Sequence, residues 1–217
     1  MSLSKNLSRG YLGITTTTGG VFGIDESRLF FSTITYINST SDSIVAGNIN
    51  INVPSGSQSG DLLLLIISHG GGSATFTAPS GWSTLTDGTL PSNGPKLEVF
   101  YRSHNGSDES VLLVGGSSGD VSLHTFRGQT LTTITNSQGP VGGAVPNLTI
   151  ANNNSYAIHV TALNTAAVPN LSTGFASLTA TGTTRGLRVA VSNSYQSIGN
   201  VVNPSTADTS EFLFEIY

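Results

Sequence analysis

The stretch Asp61-Leu-Leu-Leu-Leu-Ile-Ile-Ser-His-Gly-Gly-Gly72 decides the fold. Leu62 to Ile67 is an uninterrupted apolar run of strand length, far shorter than the ~20 residues that a membrane helix needs. A strand without polar alternation is typical of a position that is covered on both faces. Gly70 to Gly72 then ends the run. The stretch predicts a central strand with protein packed on each side.

Further strands are predicted before and after this run. Ile49, Ile51 and Val53 alternate with asparagines, which is the pattern of a half-buried strand. Residues 78–81 (Ala-Pro-Ser-Gly) predict a type I turn that leads to Trp82. The other predicted strands cover residues 96–102, 110–114, 121–126, 156–163, 186–191 and 211–217. About ten short strands separated by turn-forming residues predict an all-β chain, folded as an antiparallel β-sandwich.

The first 40 residues follow a different pattern. Their apolar clusters do not alternate, and threonines and glycines separate them. We predict that residues 1–40 form an extended N-terminal arm that docks on another protein, and that residues 41–217 form a single β-sandwich domain. The alternative is that the segment is the first β-hairpin of that domain. The predicted docking side chains are Tyr11, Leu12, Ile14, Val21, Phe22, Ile24, Leu29 and Phe30.

The composition excludes several classes of function. The 217 residues contain no cysteine, so disulfides, thiolate catalysis and cysteine-based zinc sites are excluded. Only 9% of the residues are charged and the net charge is −4, which argues against nucleic acid as a partner. We also predict no membrane partner. The basic N-terminus lacks a following apolar stretch, so we expect synthesis in a cytoplasm without a signal peptide.

Residues that could support catalysis do not form a recognisable constellation. The four histidines have no metal-ligand spacing. Glu211 and Glu215 share one face of a predicted strand, but at ~3.3 Å per residue they lie about 13 Å apart, too far for a glycosidase pair. Asp108 and Glu109 fit a solvated turn better. We therefore predict a non-enzymatic protein with no catalytic residues, no metal and no cofactor.

Three residues are candidates for contact with a glycan. Trp82 follows a turn and could stack on a sugar ring, although such a residue is more often part of a core. His69 precedes three glycines and could contact a ligand, although a loop histidine is the usual alternative. Tyr101 is the third residue that could contact a sugar. The candidate glycan contacts are thus Trp82, His69 and Tyr101.

Several short motifs follow one another between residues 50 and 149. Asn50-Ile-Asn-Val-Pro-Ser55 precedes Gly60-Asp-Leu-Leu-Leu64, and Phe76-Thr-Ala-Pro-Ser-Gly-Trp82 follows a glycine loop. An aromatic strand, Val99-Phe-Tyr-Arg102, comes next. Pro146-Asn-Leu-Thr149 then stands before a strand-like stretch. The order of these motifs resembles a module of tailed-bacteriophage virion proteins. Residues 10–26 also resemble the N-terminal segment of structural proteins from aquatic phages, where one leader precedes different C-terminal modules.

The resemblance implies a jelly-roll-like β-sandwich at a virion surface. Together with the arm, it leads us to expect a capsid decoration (cement) protein. Its partners would be other virion proteins, namely a major capsid, neck or tail protein, and we expect a homo-oligomer. The alternative is a tail or fibre protein that binds a host surface glycan, and a hydrolase is a third reading that the missing constellation disfavours.

Overall fold

The computed structural model describes residues 34–45, 48–70, 75–87, 95–107, 110–115, 117–128, 134–141, 155–171, 174–192 and 209–217, with the backbone alone for 87 and 134–141. Within these ranges the regular secondary structure is strand, with no helix. The all-β class predicted from sequence is therefore confirmed. The strands are β1 (Thr35–Ile44), β2 (Ile49–Asn52), β3 (Leu62–His69), β4 (Phe76–Thr77), β5 (Ser83–Asp87), β6 (Lys96–Ser103), β7 (Ser110–Gly115), β8 (Gly119–Arg127), β9 (Ile134–Val141), β10 (Tyr156–Leu163), β11 (Ala176–Thr181), β12 (Gly186–Ser192) and β13 (Thr209–Ile216).

The strands form three antiparallel sheets. Sheet I has the order β1-β8-β3-β6-β5, sheet II has the order β2-β7-β4, and sheet III has the order β11-β12-β10-β13-β9. All the pairings are antiparallel, as short connections and turn-rich loops favour. The predicted antiparallel sandwich is therefore confirmed, and a third sheet extends it.

The first eight strands have the topology of a jelly roll. β1 pairs with β8, β2 pairs with β7, and β3 pairs with β6. The first of the eight strands thus pairs with the last, the second with the seventh and the third with the sixth. These pairs are divided between sheets I and II, which face each other. Eight strands in two such sheets define the jelly roll. The one departure is β5, which pairs with β6 of sheet I rather than with β4 of sheet II.

Strand β3 lies at the centre of the protein and is buried along its whole length. Leu63, Leu65 and Ile67 contribute to the core between sheets I and II. Leu62, Leu64 and Ile66 point the other way, into the core between sheets I and III. The prediction of a strand covered on both faces is therefore confirmed. At ~1.5–3 kcal/mol for each buried aliphatic side chain, this one strand contributes a large part of the hydrophobic stabilisation.

Sheet III covers the face of sheet I that sheet II leaves free. The inward-facing residues of β13 are Phe212, Phe214 and Ile216, and each is at most 2% exposed. β13 pairs with β10 over all eight of its residues and with β9 on its other side. This last strand is therefore an interior strand of sheet III.

Two buried carboxylates tie loops to the sheets. Asp61 accepts two hydrogen bonds of 2.8 Å from the Arg127 guanidinium and one of 2.7 Å from the backbone N–H of Gln58. Burial acts to raise the pKa of Asp61, but these hydrogen bonds outweigh it and the pKa lies below its ordinary value. Asp120 accepts from two backbone N–H groups of the β11–β12 turn, and burial raises its pKa. These contacts fix the start of β3 and join sheet III to β8.

The structure corrects two details of the sequence interpretation. β1 begins at Thr35, so residues 35–40, which we had assigned to the arm, belong to the sandwich. The turn before Trp82 spans Pro79 to Trp82, because the Trp82 N–H donates to the Pro79 carbonyl at 3.0 Å. Gly81 has a φ of +80° at the third position, which a type II turn requires and the predicted type I turn does not.

Candidate functional site

A surface groove lies where β5 leaves the jelly-roll pattern. β4 pairs with β7 for only two residues, Phe76 and Thr77, and the Pro79–Trp82 turn then carries the chain across to the edge of sheet I. The gap between β7 and this turn is an open groove of about 370 Å³. We call it the Trp82 groove. Its lining residues are Thr77, Ala78, Pro79, Ser80, Trp82, Arg102, Ser110, Val111, Leu112 and Val114.

Trp82 and Arg102 form the most specific contact in the groove. The Arg102 guanidinium carbon lies 5.0 Å from the centre of the indole ring, within the range of a cation–π interaction. Trp82 also packs against the core between sheets I and II. Part of the indole ring of Trp82 therefore packs on the core between sheets I and II, and the Arg102 guanidinium lies over the face of the ring. Of the groove residues that the structure describes, Arg102 is the single charged one.

One wall of the groove is apolar and exposed. Leu112 is 52% exposed and Val114 is 48% exposed, and both lie on β7. β2 covers one edge of β7 from Ser110 to Leu113, whereas β4 covers the other edge only at Val114 and Gly115. Among the described residues, the exposed apolar side chains and the short pairing with β4 make this wall a surface on which a ligand or partner can bind.

The structure separates the three candidate glycan contacts. Trp82 lies in the groove, but Tyr101 follows the face of β6 that packs on the core between sheets I and III. His69 is 0% exposed and lies at the end of β3, not in a loop. As placed, His69 offers no surface to a glycan. The sequence therefore identified one groove residue, Trp82, and it missed Arg102, which alternation on β6 places on the same side as Phe100.

His69 belongs to a buried hydrogen-bond network. Its Nε2 lies 3.1 Å from Oε1 of Glu98, and its Nδ1 lies 3.4 Å from the Ser117 hydroxyl. Both oxygens of Glu98 accept the Phe76 N–H, at 3.1 and 2.9 Å. A serine, a histidine and a glutamate in this order also form the catalytic triad of some hydrolases. Here, however, His69 and Glu98 are fully buried. The Ser117 hydroxyl donates its hydrogen bond to the Gly70 carbonyl at 3.2 Å. We interpret the network as a clamp that joins β3, β4 and β6.

A second histidine–glutamate pair lies in sheet III. His159 Nε2 is 3.0 Å from Oε2 of Glu211, and the Phe175 ring packs against the imidazole with 5.3 Å between centres. Glu211 and Glu215, the carboxylates considered for a glycosidase, are both 0% exposed. A pair without access to solvent cannot present an acid and a nucleophile to a sugar. We therefore interpret both carboxylates as structural.

His124 is buried, and the described residues give it no charged partner. It lies on β8 of sheet I, and its side chain is on the face of that sheet that packs against sheet III. Its Nε2 is 3.0 Å from the Ser122 hydroxyl. No hydrogen-bond partner of its Nδ1 is found among the described residues. Burial lowers the pKa of His124 to about 3, because charging the ring would place an uncompensated cation in the core. The imidazole is neutral at physiological pH.

The described ranges contain neither a metal centre nor a candidate membrane span. In them, His, Asp and Glu side chains nowhere gather in groups of three or more that could hold an ion. Nor does any helix long and apolar enough to cross a bilayer occur in these parts of the chain. The eight predicted docking residues, Tyr11 to Phe30, lie outside the described residues, so their role remains a prediction.

Comparison of the chain with protein-family models, with curated proteins and with solved structures finds no match. The fold and the Trp82 groove therefore have to be interpreted from the residues of this chain.

Proposed function

We propose that the protein is a non-enzymatic structural component of a tailed-phage virion, in which it acts as a capsid decoration protein. In this proposal the N-terminal segment attaches the chain to a shell, neck or tail protein, and the β-sandwich stays at the virion surface. Several copies assemble around a symmetry axis of the particle. Decoration requires buried contact area and not catalysis.

The jelly-roll topology is the observation that carries this proposal. Nested pairing of β1 with β8, β2 with β7 and β3 with β6 occurs in viral capsid and lectin domains. Three of the motifs that resemble phage virion proteins also occupy this unit in order. Residues 60–64 lead into β3, residues 76–82 form β4 and the following turn, and residues 99–102 lie in β6. These three motifs and the topology thus concern the same part of the chain, whereas residues 10–26 and 146–149, which also carry the resemblance, lie outside the described residues.

Removal of residues 1–30 tests the attachment step. We expect the shortened chain to unfold cooperatively at nearly the same temperature as the full chain, because β1 begins only at Thr35. We also expect it to lose co-sedimentation with particles that lack the native protein. The full chain with Tyr11 and Phe22 replaced by serine provides a matched control, since it keeps the length of the segment.

Two results would contradict this expectation. If the shortened chain becomes insoluble, the segment is part of the sandwich core, as the alternative β-hairpin interpretation holds. If it still binds particles as tightly as the full chain, attachment resides in the sandwich and not in the first 30 residues.

A second candidate function is binding of a host surface glycan, and the Trp82 groove favours it. The groove combines an indole ring, aliphatic side chains and the hydroxyls of Thr77, Ser80 and Ser110. Ligand sites of this kind are mostly apolar and have a few polar groups that orient the ligand, in volumes of roughly 300–1,000 Å³. In this candidate function the sandwich would act as an adhesin at the tail or at the capsid surface.

A further inference from the structure

We propose that Asn105 is a site of spontaneous deamidation, at which the backbone nitrogen of Gly106 attacks the side-chain amide and releases ammonia. The two residues lie in the loop after β6, and both are exposed to solvent. The reaction is a covalent modification of the chain and is independent of the proposed virion role. It is favoured by the way in which the loop holds the Asn105 amide.

Ser107 binds the carbonyl oxygen of the Asn105 side chain with two donors. Its backbone N–H donates to Asn105 Oδ1 at 3.0 Å, and its hydroxyl donates to the same atom at 2.8 Å. Because a backbone N–H can only donate, the side-chain atom that it faces is the oxygen and not the amide nitrogen. Both hydrogen bonds stabilise the negative charge that this oxygen acquires when a nucleophile adds to the carbonyl carbon.

The same contacts keep the attacking nitrogen near that carbon. The hydrogen bond from the Ser107 N–H to Oδ1 closes a ring of covalent and hydrogen bonds, which contains both the side-chain carbonyl carbon of Asn105 and the Gly106 nitrogen. The Asn105 side chain is thereby folded back over the peptide that follows it. This restriction gives the reaction the entropic advantage of proximity.

The loop requires glycine at position 106, and glycine is the residue that obstructs the attack least. Gly106 has a φ of +91°, which other residues rarely adopt, and a Cβ atom there would lie only 3.0 Å from the Cβ of Ser59. The backbone before this pair is also fixed. The His104 carbonyl accepts from the Gly60 N–H at 2.9 Å, and the His104 N–H donates to the Asp61 carbonyl at 2.7 Å.

The reaction has two steps and consumes only water. In the first step, the Gly106 nitrogen forms a bond to the side-chain carbonyl carbon of Asn105 and gives its proton to a solvent base. The bond from that carbon to the amide nitrogen breaks, and this nitrogen takes up a proton from water and leaves as ammonia. In the second step, water adds to either carbonyl of the cyclic succinimide and opens it to aspartate or isoaspartate. Either product adds a negative charge to a chain whose net charge is −4.

Peptide mapping of the full chain during incubation at neutral and at mildly alkaline pH tests this proposal. Chromatography with mass spectrometry distinguishes the asparagine, aspartate and isoaspartate forms of each peptide. We expect Asn105 to convert, and to convert faster at the higher pH, because base removes the Gly106 proton. Asn38 is the internal control, since it is also exposed but lies in β1 and donates from Nδ2 to the Ser55 hydroxyl at 2.9 Å. It should remain asparagine.

Variants at position 107 separate the effect of the loop from that of the sequence. S107A removes the hydroxyl donor and should slow the conversion of Asn105 by roughly 2- to 10-fold, as expected for the loss of one hydrogen bond. S107T keeps a hydroxyl and should convert at nearly the native rate. In concentrated urea the native chain and S107A should convert equally fast, because the unfolded chain does not hold the two donors on Oδ1. Thermal unfolding establishes that each variant is folded.

Three results would overturn the proposal. If Asn105 stays unmodified in the folded chain while it converts in urea, the loop protects the amide. If folded S107A converts as fast as the native chain or faster, the Ser107 hydroxyl does not promote the attack. If S107A is slower by the same factor in urea, the effect belongs to the sequence and not to the folded loop.

Discussion

Removal of residues 209–217 is expected to prevent the chain from folding. These residues form β13, which lies between β10 and β9 in sheet III and contributes Phe212, Phe214 and Ile216 to the core between sheets I and III. At ~1.5–3 kcal/mol for each of these three buried side chains, the loss is about 4.5–9 kcal/mol, which is comparable with the whole stability of a domain, about 5–15 kcal/mol. The shortened chain should lack a cooperative thermal transition.

Two smaller changes near the same end of the chain serve as controls for this prediction. Phe214→Ala should lower the free energy of unfolding by about 3–5 kcal/mol, because the ring is fully buried and leaves a cavity. Deletion of Tyr217 alone should have little effect, since this residue lies beyond β13 and is partly exposed. Chemical denaturation measures all three. A chain without residues 209–217 that unfolds like the full protein would show that sheet III is not needed for the fold.

Acid is expected to destabilise the protein through His124. The pKa of this ring is about 3 in the folded chain, whereas its ordinary value is 6.5. As the pH falls below 6.5, the unfolded chain takes up a proton that the folded chain does not, so the free energy of unfolding decreases. Each pKa unit corresponds to about 1.4 kcal/mol, which gives a loss of roughly 2 kcal/mol at pH 5. The loss continues until about pH 3.

Replacement of His124 by leucine isolates this contribution. The free energy of unfolding of H124L should lose about 2 kcal/mol less than that of the native chain between pH 7 and pH 5, because the group that titrates is gone. S122A is the matched control, since it removes the hydroxyl that contacts the ring but keeps the histidine. Denaturation curves at several pH values provide the measurement. Identical pH dependence of H124L and the native chain would show that His124 is not the acid-sensitive group.

The sequence predicted those strands in which burial produces a recognisable order of apolar and polar residues. The apolar run of Leu62 to Ile67 indicated a strand with cores on both sides, and Phe212 to Ile216 indicated one inward face. β1 was missed because it is an edge strand whose residues are mostly polar, with only its last residue, Ile44, fully buried. The division into three sheets depends on pairings between distant residues, which a pattern within one strand cannot reveal.

The candidate site was predictable only in part, for a similar reason. Trp82 was identified because a single tryptophan after a turn is conspicuous in the sequence. Arg102 lies twenty residues later, and its contact with Trp82 arises only when β5 pairs with β6. His69 was interpreted as a loop residue because three glycines follow it. Its burial depends on Glu98, which the sequence places on a different strand.

The number of copies of this chain in purified virions tests the central claim most directly. Quantitative mass spectrometry of the particles, calibrated on the major shell protein, gives this number. Decoration of a symmetric shell predicts on the order of hundreds of copies per particle, because each symmetry-related position offers the same site. A few copies per particle would place the protein at the tail and favour the adhesin, and absence from the particles would contradict a virion role.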